Sequence, residues 1–402
     1  MKILILCGHY ADGRYSNSIC VKNLAECFAR QGHNVHIIAW GEKDEPLVEV
    51  NGVMVSYVKE PQYPLYVDYY LKKGGVIGHL YTIYHLVHSL LILPLYPNVS
   101  SFTARRVYKQ AVNIIENNGI DVVLATYTPY DGIWAGLKLK KKYGNFIKFV
   151  SYHLDLMSSP DNEGVVKRIK IKKGKKAFEK ELLFADKIMI PEGSEIAINS
   201  KIKEVGFPLF IKETPTASTN FEYPLDTINL TYIGSLSSSN RNPSLAIRAF
   251  ELLAKETGKK VTFHIWGVLG DMDCQGIVDK SSCVEYHGIA DNNEVALLLA
   301  KSDVLINISN STTYKMIPSK IFQYFAIGKP IIDFVKKEGD VSVPFFEKYP
   351  KALLIREYNQ EMNEIVAALK MFIDNLERGV IVSADTLFDN YKPKTICKEI
   401  LN

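Results

Sequence analysis

Short apolar runs recur along the chain, separated by longer stretches in which apolar residues return every three or four positions. Runs of this kind are typical of buried strands in a parallel sheet, and the longer spacing is typical of helices that pack on it. The runs predict strands at residues 2–6, 35–39, 121–125, 146–152, 186–190, 229–233, 261–266, 284–286, 304–308 and 331–332. The spacing predicts helices at residues 17–30, 131–142, 292–300, 361–376 and 393–401. This alternation indicates doubly wound α/β domains.

A stretch rich in Pro, Thr and Ser divides the chain and predicts a linker at residues 208–225. The length of 402 residues suits two to three domains. We therefore predict a first domain at residues 1–207 and a second at residues 226–384.

Composition narrows the class of protein. Hydrophobic residues make up 47% of the chain and charged residues 23%, which is ordinary for a globular protein. The net charge of +4 is too small to imply nucleic acid. The six cysteines form no CxxC pair, so we expect no zinc site and a reducing compartment. We expect no signal peptide, because the apolar run at residues 2–6 fits a first strand.

The stretch at residues 312–333 carries the clearest candidate chemistry. The strand predicted at 304–308 leads into a loop and then a helix with Pro318 in its first turn and Gly328 at its end. Ser319 is of the type that satisfies the free N–H groups of a first turn. Because those N–H groups and the helix dipole favour negative charge, a phosphate site is expected here.

The sequence of residues 318–330, PSKIFQYFAIGKP, resembles the nucleotide-sugar donor motif of GT-B glycosyltransferases, most closely that of the retaining family 4. The resemblance implies two Rossmann-like domains that face a central cleft, with a last helix at about residues 385–402 packing back on the first domain. Gln323 stands at the position that usually binds the donor ribose, and Lys315 where an acidic residue usually faces the sugar. The same resemblance assigns Met316, Ile317, Pro318 and Ser319 to the donor site.

Residues 232–253, YIGSLSSSNRNPSLAIRAFELL, look like the first strand, phosphate loop and first helix of that family's donor domain. Gly234 would let the backbone approach the phosphates closely. Relatives often carry arginine and lysine where this chain has Ser235 and Asn240. Arg241 is the one cation of the loop, so we assign it, together with Lys320, to the diphosphate. By the same resemblance, Gly288 lies where the nucleotide base is held.

The first half also resembles the family. Residues 23–38, NLAECFARQGHNVHII, look like its opening helix and second strand, and the loop at residues 8–18 would touch donor phosphate or acceptor. Gly8 is assigned to the donor, and His9, Tyr10 and Asn17 to the acceptor. His153 and Asp155 follow a predicted strand and resemble the pair that orients the acceptor hydroxyl. A surface loop and a helix-capping pair are the simpler alternatives.

Two segments suggest contact with a membrane surface. Residues 61–96 are rich in Tyr and Leu, which suits either a buried helix or a membrane interface. Their histidines His79, His85 and His88 lack a suitably spaced acidic partner, so we expect no metal there. Residues 166–176 are strongly basic and suit an anionic lipid surface. The assigned cations are Lys167, Arg168, Lys172 and Lys173.

These features together predict a metal-independent glycosyltransferase without a cofactor, and the resemblance to family 4 implies that it retains the configuration of the sugar. It would move a sugar from a nucleoside-diphosphate sugar to a hydroxyl, with a lipid-linked or oligosaccharide acceptor in bacterial surface-polysaccharide assembly (capsule, O-antigen or exopolysaccharide). The alternatives are a catalytically weak binding subunit of a partner enzyme and a sugar-nucleotide epimerase. We expect a cytoplasmic protein, with a peripheral position on the inner face of the plasma membrane left open.

Overall fold

A computed structural model of the chain describes all residues except 12–15, 62–79, 81–82, 85–86, 88–92, 156–164, 193, 195, 197–198, 212–218, 220, 292–293, 313 and 315–316. Internal contacts divide it into two units, residues 1–208 with 390–402 and residues 209–389. Within the described part of the chain, no helix combines the length and the apolar character needed to cross a bilayer.

Unit 1 is built on one sheet. Its strands are β1 (Lys2–Leu6), β2 (Asn34–Gly41), β3 (Glu45–Val50), β4 (Val53–Lys59), β5 (Val122–Tyr127), β6 (Lys148–His153), β7 (Lys187–Pro191) and β8 (Ile202–Val205). They lie in the order β3-β4-β2-β1-β5-β6-β7-β8, and all neighbours are parallel except β3 and β4. The central strands are buried along almost their whole length, as their apolar runs predict.

Helices cover this sheet. They are α1 (Ser16–Arg30), α2 (Ser101–Asn118), α3 (Asp131–Tyr143), α4 (Val165–Phe184) and α11 (Pro393–Leu401). The last helix packs on α1, where the thiol of Cys397 donates to the carbonyl of Leu24 at 3.7 Å. The C-terminal residues therefore complete the core of unit 1.

Unit 2 has a fully parallel sheet. Its strands are β9 (Ile228–Ile233), β10 (Val261–Trp266), β11 (Val284–Gly288), β12 (Val304–Ile308), β13 (Ile331–Val335) and β14 (Ala352–Arg356). Their order is β11-β10-β9-β12-β13-β14. The helices are α5 (Ser244–Thr257), α6 (Met272–Asp279), α7 (Val295–Lys301), α8 (Lys320–Ile327), α9 (Val343–Lys348) and α10 (Met362–Asp374). The predicted α/β class with two doubly wound, Rossmann-like domains is confirmed.

Each sheet has a point at which the direction of winding reverses. In unit 1 this point lies between β1 and β5, and in unit 2 between β9 and β12. Loops that leave the carboxyl ends of such neighbouring strands diverge, so open α/β sheets bind ligands there. The loops after β9 and β12 carry the two motifs of the predicted donor site.

The structure also corrects several predicted elements. Strand β7 is not the last of unit 1, because β8 follows it; only four residues long, β8 leaves no apolar run to detect. The antiparallel hairpin of β3 and β4 was not predicted. Its turn is Asn51-Gly52, both residues with positive φ, and an Asn-Gly pair between apolar residues is a strong hairpin signal.

Candidate phosphate site and acceptor loops

The turn after β9 brings the backbone close to a buried amine. Gly234 adopts φ +148, and a Cβ at this position would lie 3.1 Å from the hydroxyl of Tyr232 and 3.4 Å from Nζ of Lys320. The Tyr232 hydroxyl donates to the carbonyl of Ser235 at 2.9 Å, which fixes the start of the loop. Gly234 thus lies close to Tyr232 and Lys320, and its predicted approach to the phosphates stays a prediction.

Lys320, the first residue of α8, points back into the sheet. Its Nζ lies over the Tyr232 ring, 3.8 Å from the ring centroid. This atom is buried and has no hydrogen-bond partner among the described residues. Burial holds the pKa of Lys320 well below its ordinary value; the charge of Arg241 lowers it further, while Asp333 acts in the opposite direction. The described part of the chain therefore provides no hydrogen-bond acceptor for this buried amine.

Arg241 lies on the loop beside this amine. Its guanidinium donates to the Ser235 hydroxyl at 3.4 Å, and its charge acts on Tyr232 and Lys320. The loop after β9 and the first turn of α8 therefore bring the side chains of Arg241 and Lys320 close together. A guanidinium and a lysine amine at one switch point are groups that can bind a diphosphate, and their assignment to it stays a prediction.

Asn240 has a role that sequence reasoning missed. Its Oδ1 accepts from the backbone N–H groups of Ser311 and Thr312 at 2.9 and 3.1 Å, and from the Thr312 hydroxyl at 3.0 Å. Its Nδ2 donates to Oδ1 of Asn310 at 3.2 Å. The residue that stands where relatives often carry lysine thus joins the loop after β9 to the loop after β12.

A buried carboxyl lies behind the site. Oδ1 of Asp333 accepts from Asn307 at 2.7 Å and from Ser309 at 3.2 Å, whereas its Oδ2 is buried without a hydrogen-bond partner in the described chain. Burial raises the pKa of Asp333 to about 7, against the lowering effect of those two hydrogen bonds. The charges of Asp340 and Lys320 act on it in opposite directions.

The other residues assigned to the donor site differ in burial and in hydrogen bonding. Ser319 is helical and makes no side-chain capping bond, so its predicted capping role is wrong; the Ile321 and Phe322 N–H groups bond to the carbonyls of Pro318 and Ser319 instead. Gln323 is exposed, and Ile317 is half-buried. Gly328 ends α8 in the left-handed region, as predicted.

Gly288 ends β11 with φ +75, and its carbonyl accepts from the N–H of Gly267 at 2.6 Å. Lys315 and Met316 lie outside the described residues. Their predicted contacts with the donor stay predictions.

In unit 1, loops after three neighbouring strands meet. A Cβ at Gly8, after β1, would lie 2.4 Å from Cδ of Pro129, after β5. Asp155, after β6, accepts from Asn17 at 2.7 Å and from Thr128 at 3.1 Å through the same oxygen. The structure therefore brings together the predicted Asn17 and Asp155 at the carboxyl ends of the strands.

The other predicted acceptor residues are less accessible. His153 is buried and its Nε2 lies 2.8 Å from Oε2 of the buried Glu181, so its ring is held in the core. Tyr10 is also buried, and burial raises its pKa. His9 lies against Trp40, with its Nε2 3.9 Å from a carboxylate oxygen of Glu60.

The basic run forms the start of α4. The exposed cations among the described side chains of α4 are Arg168, Lys170, Lys172, Lys175, Lys176 and Lys180. Lys173 instead donates to the carbonyl of Pro94 at 2.6 Å. The side chain of Lys167, the residues 79, 85 and 88, and most of the tyrosine-rich segment lie outside the described part.

Comparison with known proteins identifies the class of unit 2. Residues 227–343, which include both loops, match the family model described as "Glycosyl transferases group 1". Residues 227–343 of unit 2 are thus similar to the glycosyltransferases of this group. No curated protein matches the chain in sequence.

Solved structures share the whole fold at low identity. A glycosyltransferase from Rickettsia africae ESF-5 is 12% identical with a TM-score of 0.61, covering 100% of this chain and 99% of its own. UDP-GlcNAc 2-epimerase from Methanocaldococcus jannaschii is 10% identical with a TM-score of 0.52, covering 100% and 99%. WaaG, described as a glycosyltransferase involved in lipopolysaccharide biosynthesis, is 11% identical with a TM-score of 0.51, covering 99% and 93%. The fold is therefore of the GT-B type.

Proposed function

We propose that this protein transfers a sugar from a nucleoside-diphosphate sugar to a hydroxyl, and that the diphosphate binds between the loops after β9 and β12. The buried Nζ of Lys320 carries the proposal. It has no hydrogen-bond partner among the described residues and lies beside Gly234. An amine in this position costs free energy unless a ligand supplies the missing acceptor.

The same residues would assist departure of the diphosphate. Negative charge grows on the leaving group as the bond to the sugar breaks, and fixed positive groups that face it lower the barrier. Lys320, Arg241 and the N-terminus of α8 would provide this stabilisation, so we propose a transfer that needs no metal ion. Retention of configuration is proposed from the resemblance of residues 318–330 to family 4.

The acceptor is proposed to bind at unit 1. Asp155 and Asn17 form a polar pair that is half-buried at the strand ends and suits a sugar hydroxyl. A lipid-linked or oligosaccharide acceptor in surface-polysaccharide assembly is consistent with the exposed cations of α4 and with the function stated for WaaG. In this proposal α4 rests on an anionic membrane surface.

Titration calorimetry and thermal shifts with UDP, GDP, ADP, CMP and their sugar conjugates test the donor site. One diphosphate should raise the melting temperature of the wild type, because it binds only the native state. Lys320→Met should lose about 1.5–3 kcal/mol of binding, or roughly tenfold to a hundredfold in Kd. Arg241→Ala should weaken the same ligand.

A matched control separates loss of the site from loss of the fold. Lys320→Met should melt at the same or a higher temperature than wild type, since it removes a buried amine without a partner. Lys255→Met, at an exposed position of α5, should change neither binding nor stability. If no nucleotide binds the wild type at millimolar concentration, the donor proposal is wrong and a binding subunit is the better description.

An epimerase is the second candidate, because the M. jannaschii UDP-GlcNAc 2-epimerase has the same fold. The family match at residues 227–343 favours the transferase. Incubation of the bound sugar nucleotide without acceptor distinguishes the two, since an epimerase would change the sugar configuration and leave the nucleotide attached.

A further inference from the structure

A cluster of three potential ligands lies at the β11 edge of the unit 2 sheet. His264 is on β10, and Glu285 and His287 are on β11, two residues apart and so on one face of the strand. His264 Nδ1 lies 3.0 Å from His287 Nε2 and 3.5 Å from a carboxylate oxygen of Glu285, which is 3.9 Å from His287 Nε2. The register pairs His264 with Glu285, so the sheet itself brings the cluster together.

The hydrogen bonds of Asn229 fix the orientation of the His264 ring. The amide nitrogen of Asn229 faces only acceptors: the carbonyls of Pro224 at 2.9 Å and Thr227 at 3.4 Å, and a carboxylate oxygen of Asp303 at 3.3 Å. Its Oδ1 therefore accepts from Nε2 of His264 at 3.1 Å. The proton resides on Nε2, and Nδ1 presents its lone pair to His287 and Glu285.

The three distances have the size expected of a metal site. Zinc binds nitrogen at about 2.0–2.1 Å in a tetrahedron, so neighbouring ligand atoms stand about 3.3 Å apart. The observed separations of 3.0, 3.5 and 3.9 Å bracket that value. The Asn229 amide also supplies the outer hydrogen bond that orients a metal-binding histidine.

Aromatic rings enclose the histidines. Trp266 stacks on His287 with ring centroids 4.3 Å apart, and the edge of Phe221 lies against both histidines, with ring centroids 5.8 Å from His264 and 4.8 Å from His287. The Glu285 side chain is 51% exposed and that of His287 17%, whereas His264 is fully buried, so the cluster opens to solvent mainly on the Glu285 side. An ion could enter there and keep water in a fourth position.

We propose that His264, Glu285 and His287 bind a divalent transition-metal ion, with zinc as the best-suited ion. Two neutral imidazoles and one carboxylate are a common ligand set for zinc. The site shares no residue with the phosphate site of Lys320 and Arg241, so its occupancy does not depend on the proposed sugar transfer. The sequence alone does not reveal this site, because a search for CxxC pairs detects cysteine ligands only. Its ligands come from two strands and include no cysteine.

Cobalt(II) spectroscopy and zinc calorimetry on the full chain, after dialysis against a chelator, test the proposal. One Co²⁺ per chain should give the intense visible absorption of a four-coordinate site, and Zn²⁺ should displace it. Glu285→Gln and His287→Gln should each weaken Zn²⁺ binding by about tenfold or more. Glu256→Gln and His33→Gln, which remove the same groups elsewhere, should leave binding unchanged.

Two outcomes would overturn the site. Zn²⁺ binding weaker than about 100 μM would mean that His287 only donates a hydrogen bond to His264. Binding that survives both Glu285→Gln and His287→Gln would mean that other residues hold the ion. Circular dichroism of the metal-free variants shows whether each is folded, and Glu285→Gln, at an exposed position, should retain the wild-type melting temperature without metal.

Discussion

At the scale of single residues, unit 2 buries an amine and a carboxyl that each keep an atom without a hydrogen-bond partner among the described residues. These atoms are Nζ of Lys320 and Oδ2 of Asp333. Burial lowers the pKa of Lys320 and raises that of Asp333 to about 7, so in each case burial disfavours the charged form. Such groups are expensive for stability, and their retention at a switch point argues for a ligand-binding role.

Asp333 gives the pH dependence of stability a definite sign. Its folded pKa of about 7 exceeds the unfolded value of about 3.9, so the folded chain binds the proton more tightly. The contribution of Asp333 to the free energy of unfolding is fully present at low pH. It falls by roughly 1.4 kcal/mol per pH unit as the pH rises from about 4 to about 7. Asp333→Asn removes the titration.

The free energy of unfolding from urea denaturation between pH 4 and pH 8 measures this effect. The free energy of unfolding of Asp333→Asn, relative to that of the wild type, should increase by about 4 kcal/mol between pH 4 and pH 7. Above that range the difference between the two proteins should be constant. A difference that does not change with pH would mean that the Asp333 carboxyl titrates alike in the folded and unfolded chains. Asp374→Asn, at a carboxylate that Lys259 pairs on the surface, serves as a control.

At the scale of elements, the site depends on a connection between two loops. Asn240 Oδ1 accepts three hydrogen bonds from Ser311 and Thr312, and these bonds tie the loop after β9 to the loop after β12. Since both loops contribute to the proposed phosphate site, Asn240→Ala should lower the free energy of unfolding by about 1–3 kcal/mol and raise the Kd of the donor nucleotide.

Asn240→Asp distinguishes the acceptor role from the donor role of this side chain. It keeps the oxygen that faces Ser311 and Thr312 and loses only the bond to Asn310, so its destabilisation should be smaller than that of alanine. Urea denaturation and nucleotide titration of both variants give the comparison. Equal effects of Asn240→Ala and of Asn117→Ala, which removes an exposed amide on α2, would refute the connecting role.

The sequence predicted elements better than contacts. Apolar runs located most of the buried parallel strands, because a strand covered on both faces is apolar throughout. They missed the hairpin of β3 and β4, although Asn51-Gly52 carried its signal, and they missed the short β8 and the half-buried β14. The motif at residues 318–330 located the helix and Lys320. No periodicity reveals that Asn240 joins two loops or that His264 meets Glu285 and His287, because those contacts depend on strand order and register.

At the scale of the whole molecule, the net positive charge is small, but helix α4 carries a local group of exposed cations. The net charge is only +4, yet the described side chains of α4 include six exposed cations and, among them, the exposed Ile169 and Ile171. Cations at a membrane surface contribute about 1 kcal/mol each with anionic lipids, and apolar side chains add burial in the interface. This helix is therefore the face that we propose to rest on a membrane.

Neutralising α4 tests that surface. Replacing Arg168, Lys170, Lys172 and Lys175 with Gln should reduce binding to vesicles rich in phosphatidylglycerol by about 4 kcal/mol, roughly a thousandfold at low salt. Vesicle sedimentation at low and high ionic strength measures it, and the wild type should lose affinity as salt increases. A control with Gln at the exposed Lys255, Lys280, Lys337 and Lys348 changes net charge equally. If both variants lose the same affinity, attraction depends on total charge and α4 is not the docking face; if neither loses any, the membrane proposal is wrong.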